Sequence, residues 1–239
     1  MVELVGALRS TGLRPPTVPL ALGGMATVLL GYTMGADAAV AALFATVAAA
    51  VAWRVARALA MAHATAPGPG DGWLLRDVGA SVFVAVYVPF LATFAVLLAA
   101  PVDGPRRVTA FIATAVCSDV GGFAAGVLSG GRHKLAPAIS PGKSWEGLAG
   151  SALAGGLGGV IFLVLLLDQP AWQGALYGLA IVACATLGDL AESALKRDIG
   201  IKDMGRLLPG HGGLLDRLDS LLFTAPVAWL LLSAFAPTG

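Results

Sequence analysis

Charge is what this chain has least of. Only 12% of its 239 residues are Asp, Glu, Lys or Arg, where a soluble domain carries roughly a quarter. With 57% hydrophobic residues and a mean hydropathy of +0.84, a water-soluble globular domain is excluded, and the chain reads as an integral membrane protein. Cysteine is almost missing too. The two present, Cys117 and Cys184, lie inside apolar runs, where a thiol behaves as a small hydrophobe, so neither a disulfide framework nor a metal-thiolate site is expected. The net charge of +1 offers no footing for nucleic acid. The first sixteen residues lack a compact basic-then-apolar pattern and a cleavage site, so they do not read as a removable signal peptide.

Apolar length is what the chain has in abundance. A hydrocarbon core about 30 Å thick needs roughly 20 apolar residues as helix, and seven runs approach that length: residues 18–34, 38–53, 78–100, 108–128, 148–167, 172–190 and 218–235. The expected fold is therefore all-α, a polytopic transmembrane bundle in one domain over residues 1–239. Residues 1–107 would supply the N-terminal spans, and 108–239 the half that carries the motifs. Lys and Arg in short loops set orientation. With the N-terminus in the cytoplasm, Arg9, Arg14, Arg54, Arg57, Arg76, Arg132, Lys134, Lys143, Lys196, Arg197, Lys202 and Arg206 all fall on that side. Arg106 and Arg107 are the exception. Glycines cluster in the fourth and fifth spans, as close helix packing through small residues requires.

The few polar residues are concentrated. Asp119 lies well inside the fourth span, where an ionisable group costs about 2.5–3.5 kcal/mol on insertion scales unless it faces water or a partner. The following loop holds Ser140-Pro141-Gly142-Lys143-Ser144 just before a helix. Hydroxyls, a lysine and backbone N–H groups at a helix start suit phosphate, whereas His133 alone carries little weight. Asp189, Glu192, Ser193 and Lys196 share one face of the sixth helix. The turn Pro209-Gly210-His211-Gly212-Gly213 then leads to Asp216, Arg217 and Asp219. Asp216 and Asp219 project to one side, as hard oxygen ligands for Mg²⁺ would. Capping by Asp216 is the competing reading.

The run Ser193-x-Leu195-Lys196-Arg197, Lys202-Asp203-x-Gly205, then Leu208-Pro209-x-His211-Gly212-Gly213-Leu214-x-Asp216-Arg217-Leu218-Asp219 resembles the C-terminal signature of phosphatidate cytidylyltransferases. Gly188-Asp189-Leu190-x-Glu192 and Ser140-Pro141-x-Lys143-x-Trp145-Glu146-Gly147 resemble the same family in the same order. The match covers roughly the C-terminal half. It departs at Asp119-Val120-Gly121-Gly122-Phe123, which lacks the usual aromatic hydroxyl, and at Gly142 and Ser144, where a lysine and a threonine are usual.

The resemblance implies transfer of CMP from CTP to phosphatidate, giving CDP-diacylglycerol and pyrophosphate. Asp189, Asp216 and Asp219 would hold Mg²⁺, with a second cation as an option. Lys196, Arg197, Lys202 and Arg217 would neutralise triphosphate and phosphatidate charge. His211, Gly212 and Gly213 would cradle phosphate beside Ser193, with Ser140, Lys143, Ser144 and Asp119 on the substrates from the other side. The expected setting is the cytoplasmic face of the inner membrane, with a homodimer as an option and no nucleic-acid partner. A CTP-dependent lipid kinase is the nearest alternative. A transporter would instead stack its charges along a path through the bilayer.

Overall fold

The structure, a computed structural model, describes residues 1–63, 72–205 and 213–237. Among these, seven helical stretches are long and apolar enough to cross a membrane, from Thr17–Met34 to Leu215–Phe235. The protein is an all-α polytopic membrane protein, as hydropathy leads one to expect. In lipid each backbone N–H and C=O must be satisfied within its own segment, which is why apolar runs of this length become helices. The chain divides into two compact units, Met1–Leu97 with Ile201–Asp216, and Leu98–Gly200 with Arg217–Gly239.

The first unit begins with a short helix that hydropathy does not single out, α1 (Val2–Ser10), whose Leu4, Val5, Ala7 and Leu8 are buried. That spacing is one face of an amphipathic helix. It is followed by α2 (Thr17–Met34), α3 (Ala36–His63) and α4 (Trp73–Ala85). A five-residue π turn, Val86–Phe90, joins α4 to α5 (Leu91–Ala99). Pro89 lies within that turn; a proline in a helix removes one backbone hydrogen bond, and a single π turn absorbs the misfit.

Where α3 and α4 run past the apolar stretch, they are joined by a buried ion pair, Arg54 to Asp77. Asp77 Oδ1 also accepts the Arg14 backbone N–H at 2.6 Å, and the Arg54 guanidinium stacks 5.0 Å from the Trp73 ring centre. Hydropathy counts Arg54 and Arg14 only as loop charges. In the structure the Arg54 guanidinium and the Arg14 backbone N–H meet on Asp77 and hold the chain between α1 and α2 against α3 and α4.

The second unit holds α6 (Gly104–Leu128), a hairpin of β1 (Lys134–Ala136) and β2 (Ser140–Ser144), α7 (Trp145–Leu167), α8 (Ala171–Ile199) and most of α9 (Leu215–Phe235). Glycine sets its spacing. A methyl group on Gly121 of α6 would lie 2.7 Å from the Gly150 carbonyl oxygen of α7, and one on Gly159 of α7 would lie 2.8 Å from the Gly178 Cα of α8. The glycine clusters thus do what small residues do in membrane bundles, letting backbones touch.

Arg107 accounts for one of the two residues that break the pattern of loop charges, while Arg106 is exposed. Arg107 is buried, donates from Nε to Asp103 at 2.8 Å, and donates to the carbonyls of Leu232 and Ala236 at the end of α9. It closes a helix C-terminus, where a cation is favoured, and is no guide to orientation. The hydrogen bond from Arg107 holds the Asp103 carboxyl below the ordinary carboxylate range. Its contribution to stability is therefore present at neutral pH and is lost as pH falls through the lowered value.

The buried pair in the first unit is the most exposed to damage by mutation. Asp77→Asn leaves the Arg54 charge buried without its counter-ion, a loss of about 3–5 kcal/mol. Detergent-solubilised Asp77→Asn should lose its monodisperse chromatographic peak at a temperature several degrees lower than the parent, and Arg54→Met/Asp77→Leu should recover most of the difference. An unchanged melting profile for Asp77→Asn contradicts the assignment.

Candidate active site

A cavity of about 620 Å³ opens in the second unit, within the size range of ligand sites. One wall comes from α6, with Asp119, Gly122, Phe123, Gly126 and Val127. Ser144 at the end of β2 and Gly147, Leu148 and Ser151 of α7 add to the lining, with Asp189 and Thr186 from α8. Lys134 and Lys143 come from the hairpin. The lining is mixed: two carboxylates and two ammonium groups share it with Phe123, Val127, Leu135 and Leu148.

Local sequence explains this placement. Gly122, Gly126 and Gly147 leave the space that side chains would fill, and a methyl on Gly122 would run into Ser151. Ser151 itself donates to the Ser118 carbonyl at 2.9 Å, fastening α7 to α6 at the cavity wall. Ser144 caps α7, its Oγ accepting the Gly147 N–H at 3.1 Å, as serine at a helix start commonly does.

The segment Ser140–Ser144, expected as a turn leading into a helix, is instead the second strand of the hairpin, with Ser140 opposite Ala136 and Ser144 opposite Lys134. Glu146 fastens the hairpin base: Oε1 accepts the His133 backbone N–H at 3.2 Å and lies 2.6 Å from His133 Nδ1. His133 thus has a structural task. The strand conformation projects Lys143 toward α8, where its ammonium forms an ion pair with Asp189 Oδ2.

Asp189 is the centre of the electrostatics. It acts on both Asp119 and Asp219 of α9, with Lys143 within reach of all three and Lys196 within reach of Asp219. Lys196 also pairs with the fully buried Glu192 at 3.1 Å. Arg197 Nε donates to the Ile139 carbonyl of the hairpin at 3.4 Å, and Asp219 accepts the Ser220 N–H at 2.6 Å. Of the residues singled out in sequence, Asp119, Lys143, Ser144 and Asp189 line the cavity. Ser140 and Ser193 are half-buried, and Arg217 is exposed on α9.

The rest of the motif belongs to the first unit. Lys202 is exposed just beyond Gly200, whose φ of +77° ends α8. Asp216 accepts the Met204 N–H at 2.9 Å and the Gly213 N–H at 2.9 Å. Its carboxylate therefore folds the motif onto itself, and the Gly213 amide is engaged by protein. His211 and Gly212 lie outside the described residues.

A sequence model of the cytidylyltransferase family matches residues 1–235. The chain belongs to that family. The likeness extends across the N-terminal spans, beyond the C-terminal half to which the motifs confine it. The phosphatidate cytidylyltransferase of Mycobacterium bovis is 45% identical over 232 residues, covering 97% of this chain and 76% of that protein. That of Mycobacterium leprae is 46% identical over 235 residues, with 97% and 75% covered. The phosphatidate cytidylyltransferase of Brucella abortus is 44% identical over 106 residues, 44% of this chain and 39% of its own.

As a cytidylyltransferase, this chain is a nucleotidyltransferase embedded in a membrane. Its donor chemistry suits a hard cation. Mg²⁺ is usually held by one or two carboxylates together with substrate phosphates, and Asp189 with Asp119 or Asp219 can supply that many. Among the described residues no three His, Cys, Asp or Glu side chains stand together as a metal cage, an arrangement Mg²⁺ does not need. Sequence reasoning passed over Lys134, Thr186 and Ser151. Lys134 was counted only as a loop charge, and nothing in the pattern distinguishes the other two from helix-packing hydroxyls.

Lys143 offers the cleanest test of the site. Lys143→Gln removes one charge-assisted interaction and should lower kcat/KM for pyrophosphate release from CTP roughly 10- to 100-fold, with an unaltered chromatographic profile. Activity within twofold of the parent would remove Lys143 from the site.

Proposed function

We propose that the protein is a phosphatidate cytidylyltransferase, transferring CMP from CTP to phosphatidate to give CDP-diacylglycerol and pyrophosphate. The observation that supports this is the mixed lining of the cavity, where Asp119, Lys143 and Asp189 stand together with Phe123, Val127 and Leu148. A site of this kind suits a substrate that is at once a phosphate and a lipid. The mycobacterial relatives are phosphatidate cytidylyltransferases by name, which supports the same reading.

In the reaction a phosphate oxygen of phosphatidate forms a bond to the α-phosphorus of CTP. The bond from that phosphorus to the bridging oxygen of the β-phosphate breaks, and pyrophosphate leaves. Transfers at phosphorus depend mostly on positioning and on neutralising charge. Lys143 and Lys134 would hold the phosphatidate phosphate at the cavity, with Ser144 and Ser140 beside it. Lys196, Arg197, Lys202 and Arg217 would meet the triphosphate. The carboxylates proposed to hold Mg²⁺ are Asp189 and Asp219, with Asp216 three residues earlier on α9 as the third member. When bound, Mg²⁺ would neutralise the triphosphate and polarise its phosphoryl oxygens.

The loop charges support placing the site on the cytoplasmic face of the inner membrane; Arg107 is taken up at a helix end, which leaves Arg106 as the one basic residue against that orientation. A homodimer remains part of the proposal on the strength of the resemblance. The acyl chains would stay in lipid beside α6, where Phe123 and Leu128 are exposed.

Product analysis decides the chemistry. With CTP labelled at the α-phosphorus, phosphatidate and Mg²⁺, label should pass into a CDP-lipid while pyrophosphate accumulates. Label from the γ-position appearing on the lipid, with CDP released, would instead identify a lipid kinase.

A further inference from the structure

The sequence carries one acidic residue in its first 36, Glu3, which no motif claims. In the structure its two carboxylate oxygens divide between consecutive amides 211 and 212 residues away: Oε1 accepts the Leu214 N–H at 3.1 Å and Oε2 the Leu215 N–H at 3.0 Å. These amides open α9, where the first-turn N–H groups have no partner within the helix and a negative charge is favoured. Two glycines of the motif make room for it. A methyl on Gly205 would collide with the Glu3 carboxyl, and one on Gly213 would lie 3.0 Å from Oε1.

The contact is anchored at both ends. On one side, the buried Leu4, Val5, Ala7 and Leu8 fix α1 in the first unit. On the other, Leu215 and Met204 are buried, and Asp216, the second residue of α9, gathers the Met204 and Gly213 amides. Glu3 and Asp216 thus divide the free amides around the start of α9 between them. Without Glu3, two of those amides are left to compete for the Asp216 carboxylate or for water.

We infer that Glu3 is a positioning residue: from the N-terminal helix it fixes the start of α9, and thereby the direction in which Asp216 is presented to the nucleotide. This rests on the proposed cytidylyl transfer. Glutamine cannot replace it, because its single acceptor oxygen serves one amide and its NH₂ group faces the other.

The test combines amide exchange with kinetics on the full chain in detergent. In the wild-type protein, free of nucleotide and metal, the Leu214 and Leu215 amides should exchange slowly, and in Glu3→Gln roughly tenfold faster. KM for CTP should rise roughly tenfold, the worth of one charge-assisted hydrogen bond, while KM for phosphatidate stays within twofold. A purely structural defect would lower the amount of active enzyme and leave both KM values unmoved. Gly205→Ala, which pushes a methyl into the Glu3 carboxyl and leaves Glu3 itself intact, should reproduce the selective rise. Fast exchange of both amides in the wild type overturns the inference, as does an unchanged KM for CTP in both variants. Slow exchange in a wild-type protein that releases no pyrophosphate from CTP would overturn the functional reading, and this inference with it, while leaving the Glu3 contact standing.

Discussion

Between α6 and α7 there is no room for a methyl group at Gly121 or Gly150, and the second unit's site depends on that close approach. In lipid, helices gain little from apolar contact with one another, so backbones that touch and hydrogen bonds between helices must hold them. The Ser151 hydroxyl on the Ser118 carbonyl is such a bond. Beside this seam, Gly122, Gly126 and Gly147 keep side chains out of the cavity. The same residue type that draws the helices together thus leaves the space in which a lipid phosphate would sit.

Charges placed beside such a seam need partners. Asp189 has Lys143, Glu192 has Lys196, and Asp216 has two backbone amides. Two of these carboxylates are restrained by ammonium groups and one by backbone amides, and the two kinds of restraint have different consequences. An ammonium partner such as Lys143 can exchange to an incoming phosphate, because its flexible stem and compact charge carry no fixed geometry. Backbone amides cannot follow a ligand. Asp216 is accordingly set by the fold, and Asp189 by a partner that substrate can share.

The spans were legible because a run of apolar residues near bilayer length has few other fates. Their ends were not. Hydropathy falls at Trp53 and Leu190, yet α3 and α8 run on to His63 and Ile199, since polarity marks where the membrane stops and not where hydrogen bonding stops. The hairpin was hidden because Pro141 and Gly142 read as a turn, and its pairing with Lys134–Ala136 is set by neighbours in space. Arg107 and Glu3 share a different obstacle. Each satisfies a helix end more than a hundred residues away, so its partner leaves no trace in local sequence. What motif spacing did reveal was chemical type: acids for a metal, bases for phosphate, glycines for close approach. Which acids meet was another matter, and the structure brings Asp119 and Asp189 to one cavity.

The central claim is that this cavity receives phosphatidate. Phosphatidate with a photoreactive group near the glycerol end of one acyl chain, irradiated in proteoliposomes with the wild-type chain, tests it directly. Adducts mapped by mass spectrometry should fall on the α6 and α7 peptides that contain Phe123, Val127 and Leu148, and an excess of unlabelled phosphatidate should suppress them. Suppressible labelling confined to peptides of α2 and α3, with none on α6 or α7, would contradict the account.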